Sequence, residues 1–233
     1  VDGVVILDTF LRQLQASSLA PQLVLRGSQL TARWVPGRIA QDLDFVIEGE
    51  WTVATLTAAA SSVAPSLTER LETIWAETEW PGLRLHLVDG AEKLQVDISF
   101  NEPIGIPPQP TGLRGHMFRA VGPEMMLGWK IHSLVERGPR GRWHAKTLAD
   151  LVLIDRHTTT DPSRVKACVE TAFAIRRMTL RELDGMLNDE TWGLSRGSRN
   201  KWKSYSKKAP WVDFPLAEAI SQCRAIVRKV LSA

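Results

Sequence analysis

Between Pro103 and Pro110 the chain carries four prolines in eight residues. Proline lacks a backbone N–H and fixes φ, so this stretch can be neither a helix interior nor a central strand. It divides the sequence, and the two sides read differently. Short strand-like runs and turns dominate the first side, and helical periodicity dominates the second. Charge follows the same division. Residues 1–110 hold seven Lys/Arg against fourteen Asp/Glu, whereas residues 111–233 hold twenty-two against twelve. The overall net charge of +3 thus hides an acidic half and a basic half, a distribution suited to holding a cation on one side and a polyanion on the other. Two domains are expected, 1–110 and 111–233.

In the first half, apolar residues at Val4, Ile6, Leu7, Phe10, Leu11 and Leu14 predict an amphipathic helix over Val4 to Gln15. Leu23 to Leu25 reads as a buried strand. Gly27-Ser28 then turns into a helical segment, Gln29 to Trp34, which Pro36-Gly37 breaks. A second strand, Leu43 to Ile47, follows with Asp42 and Asp44 at its start. Thr52 to Ala64 is expected to be helical, with Ser66 to Ala76 continuing it after Pro65. Leu83 to Val88 alternates apolar and polar residues, Asp89-Gly90 turns, and Leu94 to Phe100 runs back as a hairpin. Asp97 sits in the second arm between Val96 and Ile98, so it is expected to face away from the buried side chains.

Side chains two apart on a strand share a face. Asp42 and Asp44 are therefore neighbours, and two adjacent carboxylates repel unless a cation lies between them. Hard oxygen pairs are what Mg2+ prefers. A Gly-Ser turn before a helix offers backbone N–H groups, a small hydroxyl and room for a phosphate. Taken singly, each feature is also what a solvated strand or turn would carry.

The second half opens with a short extended piece, Met117 to Val121. Helices are then expected at Glu124–Arg137, Lys146–Arg156, Asp161–Arg176, Leu180–Leu187, Gly197–Lys208 and Leu216–Leu231. Lys130 and Arg137 lie seven residues apart, nearly two turns, and share a helix face. Such cations suit a polyphosphate, and they also suit a solvated surface. Arg196, Arg199, Lys201, Lys203, Lys207 and Lys208 interleave with Trp192, Trp202, Tyr205 and Trp211. That pattern fits phosphate contact with base stacking, or a solvated helix whose aromatics pack inward.

The blocks Gly27-Ser28, Asp42-Leu43-Asp44-Phe45, Lys130 to Arg137 and Lys146-Thr147-Leu148-Ala149-Asp150-Leu151, in that order, resemble those of polymerase-β-like nucleotidyltransferases. The match is closest to the AbiEii/AbiGii toxin family, which includes the MenT toxins. It extends from about residue 20 to residue 231. Thr147 departs from the pattern, since the family has an acid there; Asp150, the second acid of that block, is present.

The resemblance implies an α+β fold: a nucleotidyltransferase-like mixed sheet with flanking helices, followed by an all-helical C-terminal domain, with the active site in the cleft between the two. It implies that Gly27 and Ser28 hold phosphate and that Asp42 and Asp44 bind Mg2+. Asp97 would complete the metal site or act as base. Lys130 and Arg137 would neutralise the triphosphate of an NTP, with Asp150 supporting them. The implied reaction is transfer of NMP to an acceptor hydroxyl, a tRNA 3′ end in the MenT branch, with release of pyrophosphate. A cognate antitoxin is the implied partner. A protein or small-molecule hydroxyl as acceptor remains open, as does a nucleotide-binding regulatory module without turnover.

No apolar run approaches the roughly 18 residues of a membrane span, and the first residues read as trimmed rather than as a secretory leader. Cys168 and Cys223 lack metal-ligand spacing and are expected to be buried, reduced thiols of a cytoplasmic protein.

Overall fold

A computed structural model describes residues 4–76, 80–100, 102–136 and 145–233. The chain divides into two compact units. One comprises Val1–Leu30, Ile39–Glu102 and Pro108–Val121; the other comprises Thr31–Arg38, Pro103–Pro107 and Gly122–Ala233. The division is less simple than a break after residue 110. Residues 111–121 belong with the sheet, because they complete a strand pair on it.

The first unit begins with α1 (Val4–Gln15), which buries Ile6, Phe10, Leu11 and Leu14 and packs on strands of the sheet. β1 (Leu23–Arg26), the start of α2 (Ser28–Trp34), β2 (Asp42–Ile47) and α3 (Val53–Ser61) follow. Thr52 caps α3, its side chain accepting from the Thr55 backbone N–H while the Thr55 hydroxyl accepts from the Thr52 N–H. That exchange satisfies two of the N–H groups a helix start leaves open. The remaining strands are β3 (Thr68–Ile74), β4 (Gly82–Asp89), β5 (Glu92–Phe100), β6 (Gln109–Leu113) and β7 (His116–Ala120). Together they form a mixed seven-stranded sheet in the order β3-β4-β5-β2-β1-β7-β6. β2 runs parallel to β5, β1 runs parallel to β7, and the other pairs are antiparallel.

Two parts of this sheet differ from the sequence expectation. Thr68–Ile74 is a strand, where a helix over Ser66 to Ala76 was expected. It is an edge strand paired with β4, and only Ile74 in it is buried. With so little apolar content, its period of two is nearly invisible in the sequence. β6 includes Pro110 and lies at the opposite edge, the position in a sheet where a missing N–H is tolerated.

The second unit is helical: the end of α2, α4 (Pro123–Val135), α5 (Ala145–His157), α6 (Pro162–Ile175), a 3-10 turn at Leu180–Leu183, α7 (Asp184–Asn188), α8 (Arg196–Ser206) and α9 (Leu216–Leu231). α4 is buried on most sides, as its run of Met125 to Trp129 requires. It packs against α6 so closely that a Cβ at Gly128 would lie 2.8 Å from Cys168 Cβ. Asp161 caps α6, accepting from the Ser163 N–H at 2.9 Å, with Pro162 in the first helical position. α9 buries Leu216, Ala219, Ile220, Cys223, Ile226, Val227 and Val230, one stripe at helical spacing. Cys168 and Cys223 are both free and buried; burial pushes the Cys168 thiol up to about 12. Among the described residues no helix is long and apolar enough to cross a membrane.

Candidate active site

The acidic side of the site is built by strand register. In the parallel pair β2–β5, Asp42 lies opposite Gln95 and Asp44 opposite Asp97. Registered partners point to the same face, so Asp42, Asp44 and Asp97 share one face of the sheet. Leu43 and Phe45 occupy the other and are fully buried. Burying those two side chains stabilises the strand by about 1.5–3 kcal/mol each, and that apolar side is what turns the carboxylates the opposite way.

Gly27 is shaped by Asp44. Its φ is +76°, and a Cβ there would lie 2.7 Å from Asp44 Cγ and 2.8 Å from Asp44 Cβ. Glycine alone meets both conditions: the left-handed backbone and the close approach of a carboxylate. Ser28 starts α2, is only 3% exposed, and turns its hydroxyl to Asp42. It donates to Asp42 Oδ1 and lies 3.1 Å from the Asp42 carbonyl oxygen, to which the Gln29 amide also donates at 3.2 Å. Ser28, expected from sequence to meet phosphate with Gly27, is seen to fix the start of β2 and the Asp42 carboxylate.

Asp97 faces the predicted side, yet it is buried rather than open, at 8% exposure. Arg84 of β4 grips it with two hydrogen bonds, Nε to Oδ1 and Nη2 to Oδ2, both 2.8 Å. Gln95 adds a third donor at 3.2 Å. The Arg84 guanidinium is held above its ordinary range, first by its hydrogen bonding to Asp97, with burial opposing and the charges of Asp97, Glu72 and Asp44 adding. Among the described residues no group of three His, Cys, Asp or Glu is arranged to hold a metal ion. The donor chemistry still fits a hard divalent cation at Asp42 and Asp44, two carboxylates side by side. The third carboxylate is engaged by Arg84.

In the helical unit, Lys130 and Asp150 come together as the sequence suggests, with Lys130 Nζ 3.0 Å from Asp150 Oδ2. Asp150 is completely buried. Its second oxygen takes a partner that sequence reasoning missed: Arg38, whose Nε lies 3.1 Å from Oδ1. Burial pushes the Asp150 carboxyl up, but the charges of Lys130 and Arg38 and their hydrogen bonds outweigh it, so the group stays below the usual carboxylate range. Arg38 stacks on Trp211, 5.2 Å from the ring centroid. The one local hint of Arg38 was its place just after Pro36-Gly37, where the chain turns. Arg137 and the loop after it lie outside the described residues.

In α8 and its flanks, Arg196, Arg199, Lys201, Lys203, Lys207 and Lys208 are all exposed. Trp192 and Trp202 are buried at 4% and 6%, so these two aromatics belong to the core and are not presented for stacking. Trp202 packs against Phe214 with centroids 5.9 Å apart. Arg199 Nε donates to the Leu194 carbonyl at 2.8 Å.

The profile of the family described as nucleotidyl transferase AbiEii toxin, type IV TA system, matches residues 9–214. Two solved structures from Helicobacter pylori share the fold. JHP933 has 14% identity and a TM-score of 0.50, covering 98% of this chain and 90% of its own. The other, titled only provisionally as a nucleotidyltransferase, has 13% identity and a TM-score of 0.53, covering 98% and 92%. No curated protein matches the chain. The sheet register, the paired acids and a profile match over most of its length lead to one conclusion: the chain belongs to the AbiEii nucleotidyltransferase toxin family of type IV toxin–antitoxin systems.

Proposed function

We propose that this protein transfers a nucleoside monophosphate from an NTP to an acceptor hydroxyl, the 3′ end of a tRNA, and releases pyrophosphate. The observation that carries the reading is the register placing Asp42, Asp44 and Asp97 on one sheet face, with Gly27 kept bare beside Asp44. Asp42 and Asp44 are the residues that would hold Mg2+. When bound, that ion would supply positive charge for the developing charge on phosphorus oxygens and for the attacking hydroxyl.

The chain's own groups do the remaining work. Ser28 and Gln29 keep Asp42 oriented, and Gly27 leaves room at Asp44 for the phosphates. Lys130 and Arg137 offset triphosphate charge, and Asp150 fixes the rotamer of Lys130 across their 3.0 Å separation. Asp97 joins the metal ligands or takes the proton from the acceptor hydroxyl. The exposed cations from Arg196 to Lys208 bind the acceptor's phosphates. A cytoplasmic location and a cognate antitoxin complete the proposal.

The test is incubation with each α-labelled NTP, Mg2+ and either total tRNA or cell lysate, alongside Asp42→Ala and Asp44→Ala. Label on tRNA that both substitutions abolish, with the fold intact by circular dichroism, is the expected result. Label on protein or on a small molecule replaces the acceptor. Label unaffected by both substitutions, or no label anywhere, refutes the assignment of the acids.

A further inference from the structure

The register that aligns the acids also lays a row of charges across the sheet, beginning with Arg26 of β1 opposite Asp44. Asp44 of β2 is opposite Asp97 of β5, Asp97 is opposite Arg84 of β4, and Arg84 is opposite Glu72 of β3. Neighbouring strands lie about 4.8 Å apart, so each member feels the next directly. Asp97 thus stands between a like charge and an opposite one. Its two oxygens are both taken by the fork of Arg84, the arrangement in which a guanidinium holds a carboxylate most firmly. Gln95 adds a donor to Oδ2. A carboxylate bonded in this way keeps its lone pairs and much of its charge committed to the protein.

Arg84 is also kept from leaving freely. Glu72 lies opposite it on the far side, and the Asp44 charge acts on it as well. Its side chain remains 28% exposed against 11% for Asp97, so it has a route to solvent that Asp97 lacks. The more exposed partner of the pair is therefore the cation. A divalent ion arriving between Asp42 and Asp44 on β2 would add positive charge across β5 from Arg84 on β4. The two cations repel, and both are attracted by Asp97.

We propose that Arg84 is a positioning residue that holds Asp97 in reserve and competes with the divalent cation for it. Asp97 becomes a ligand only as Arg84 yields. This rests on the reading of Asp42 and Asp44 as metal ligands. Arg84 balances the charge of Asp97 when no metal is bound. It also weakens metal affinity in proportion, so that tight binding waits until the substrate's phosphates add their own charge to the site.

The experiment is titration of the full chain with Mn2+ alone, followed by the electron paramagnetic resonance signal of free Mn2+. The variants are Arg84→Gln, Arg84→Lys, Asp97→Asn, the Arg84→Gln/Asp97→Asn double and Asp42→Asn. Removing the competing charge tightens Mn2+ binding by about tenfold in Arg84→Gln, and Asp97→Asn weakens it. The double variant shows no such gain, because the gain acts through Asp97. Arg84→Lys keeps the charge without the two-point grip and falls between wild type and Arg84→Gln, which preserves the test if the glutamine variant does not fold. Unchanged or weaker binding in Arg84→Gln overturns the proposal, as does a gain that survives in the double variant. No uptake by wild type and Arg84→Gln alike at millimolar Mn2+ also overturns it. Failure of the underlying reading looks different: Asp42→Asn would then bind Mn2+ as well as the wild type.

Discussion

Asp150 offers the sharpest test of how the helical unit is held together. It is fully buried, with Lys130 at 3.0 Å and Arg38 at 3.1 Å on separate oxygens. Asp150→Asn keeps the size and removes the charge, leaving two cations facing a buried neutral amide. Breaking a buried pair from one side costs about 3–5 kcal/mol, because the remaining charge is left uncompensated. In a chain of this size each kcal/mol moves Tm by about 2–4 °C, so the expected fall is on the order of 10 °C. Thermal and urea unfolding of wild type, Asp150→Asn, Arg38→Met and the double variant would measure it. The double variant should be less destabilised than the sum of the singles, since the two residues share one interaction.

The pH dependence has a definite sign. The folded carboxyl lies below its ordinary range because Lys130 and Arg38 outweigh the effect of burial. Its contribution is therefore fully present above the unfolded value of about 4 and is lost as pH falls through the lower folded value. The stability gap between wild type and Asp150→Asn should be flat from about pH 5 upward and should narrow below about pH 4. A loss under about 1 kcal/mol at neutral pH, or a gap that widens in acid, would refute the account of Asp150 as a charge held by two cations.

Gly27→Ala should remove transfer activity and destabilise the fold, since alanine there meets both the φ of +76° and the Asp44 carboxylate; normal activity in a radiolabel transfer assay would sink the close-approach argument. Gly128→Ala should cost about 1–3 kcal/mol by forcing α4 from α6, because its Cβ would lie 2.8 Å from Cys168 atoms including backbone carbon; urea midpoints within error of wild type would contradict this. Replacing Lys201, Lys203, Lys207 and Lys208 by Ala should weaken tRNA binding and lower its log–log salt slope by about one unit for each phosphate no longer neutralised. NTP binding should hardly change, and an unaltered salt slope in a filter-binding series would place the acceptor elsewhere.

Much of this molecule was legible locally. Val4–Gln15 and Leu216–Leu231 are amphipathic over several turns, so 3.6-residue periodicity set their bounds to the residue. The hairpin of β4 and β5 was announced by alternation around Asp89-Gly90, and Gly90 takes a positive φ of 58°. Asp42 and Asp44 had to share a face once Leu43 and Phe45 went inward, because a strand has a period of two. Thr68–Ile74 escaped because it is polar and half-exposed, and its strand character comes from pairing with β4. Nothing in its own residues names that partner.

The partners of the chemical groups belong to tertiary structure alone. Asp97 meets Arg84 because β4 and β5 pair in one register; a slip of one residue would turn either side chain to the opposite face. Asp150 meets Arg38 across 112 positions of sequence, and Trp192 and Trp202 beside the basic cluster turn inward because α8 has a core to cover. Residue type and spacing decided which groups could do chemistry and which face of an element they would take. Which charge lies against which was decided by packing, since Coulomb attraction and hydrogen bonding act over a few ångströms of space regardless of distance along the chain.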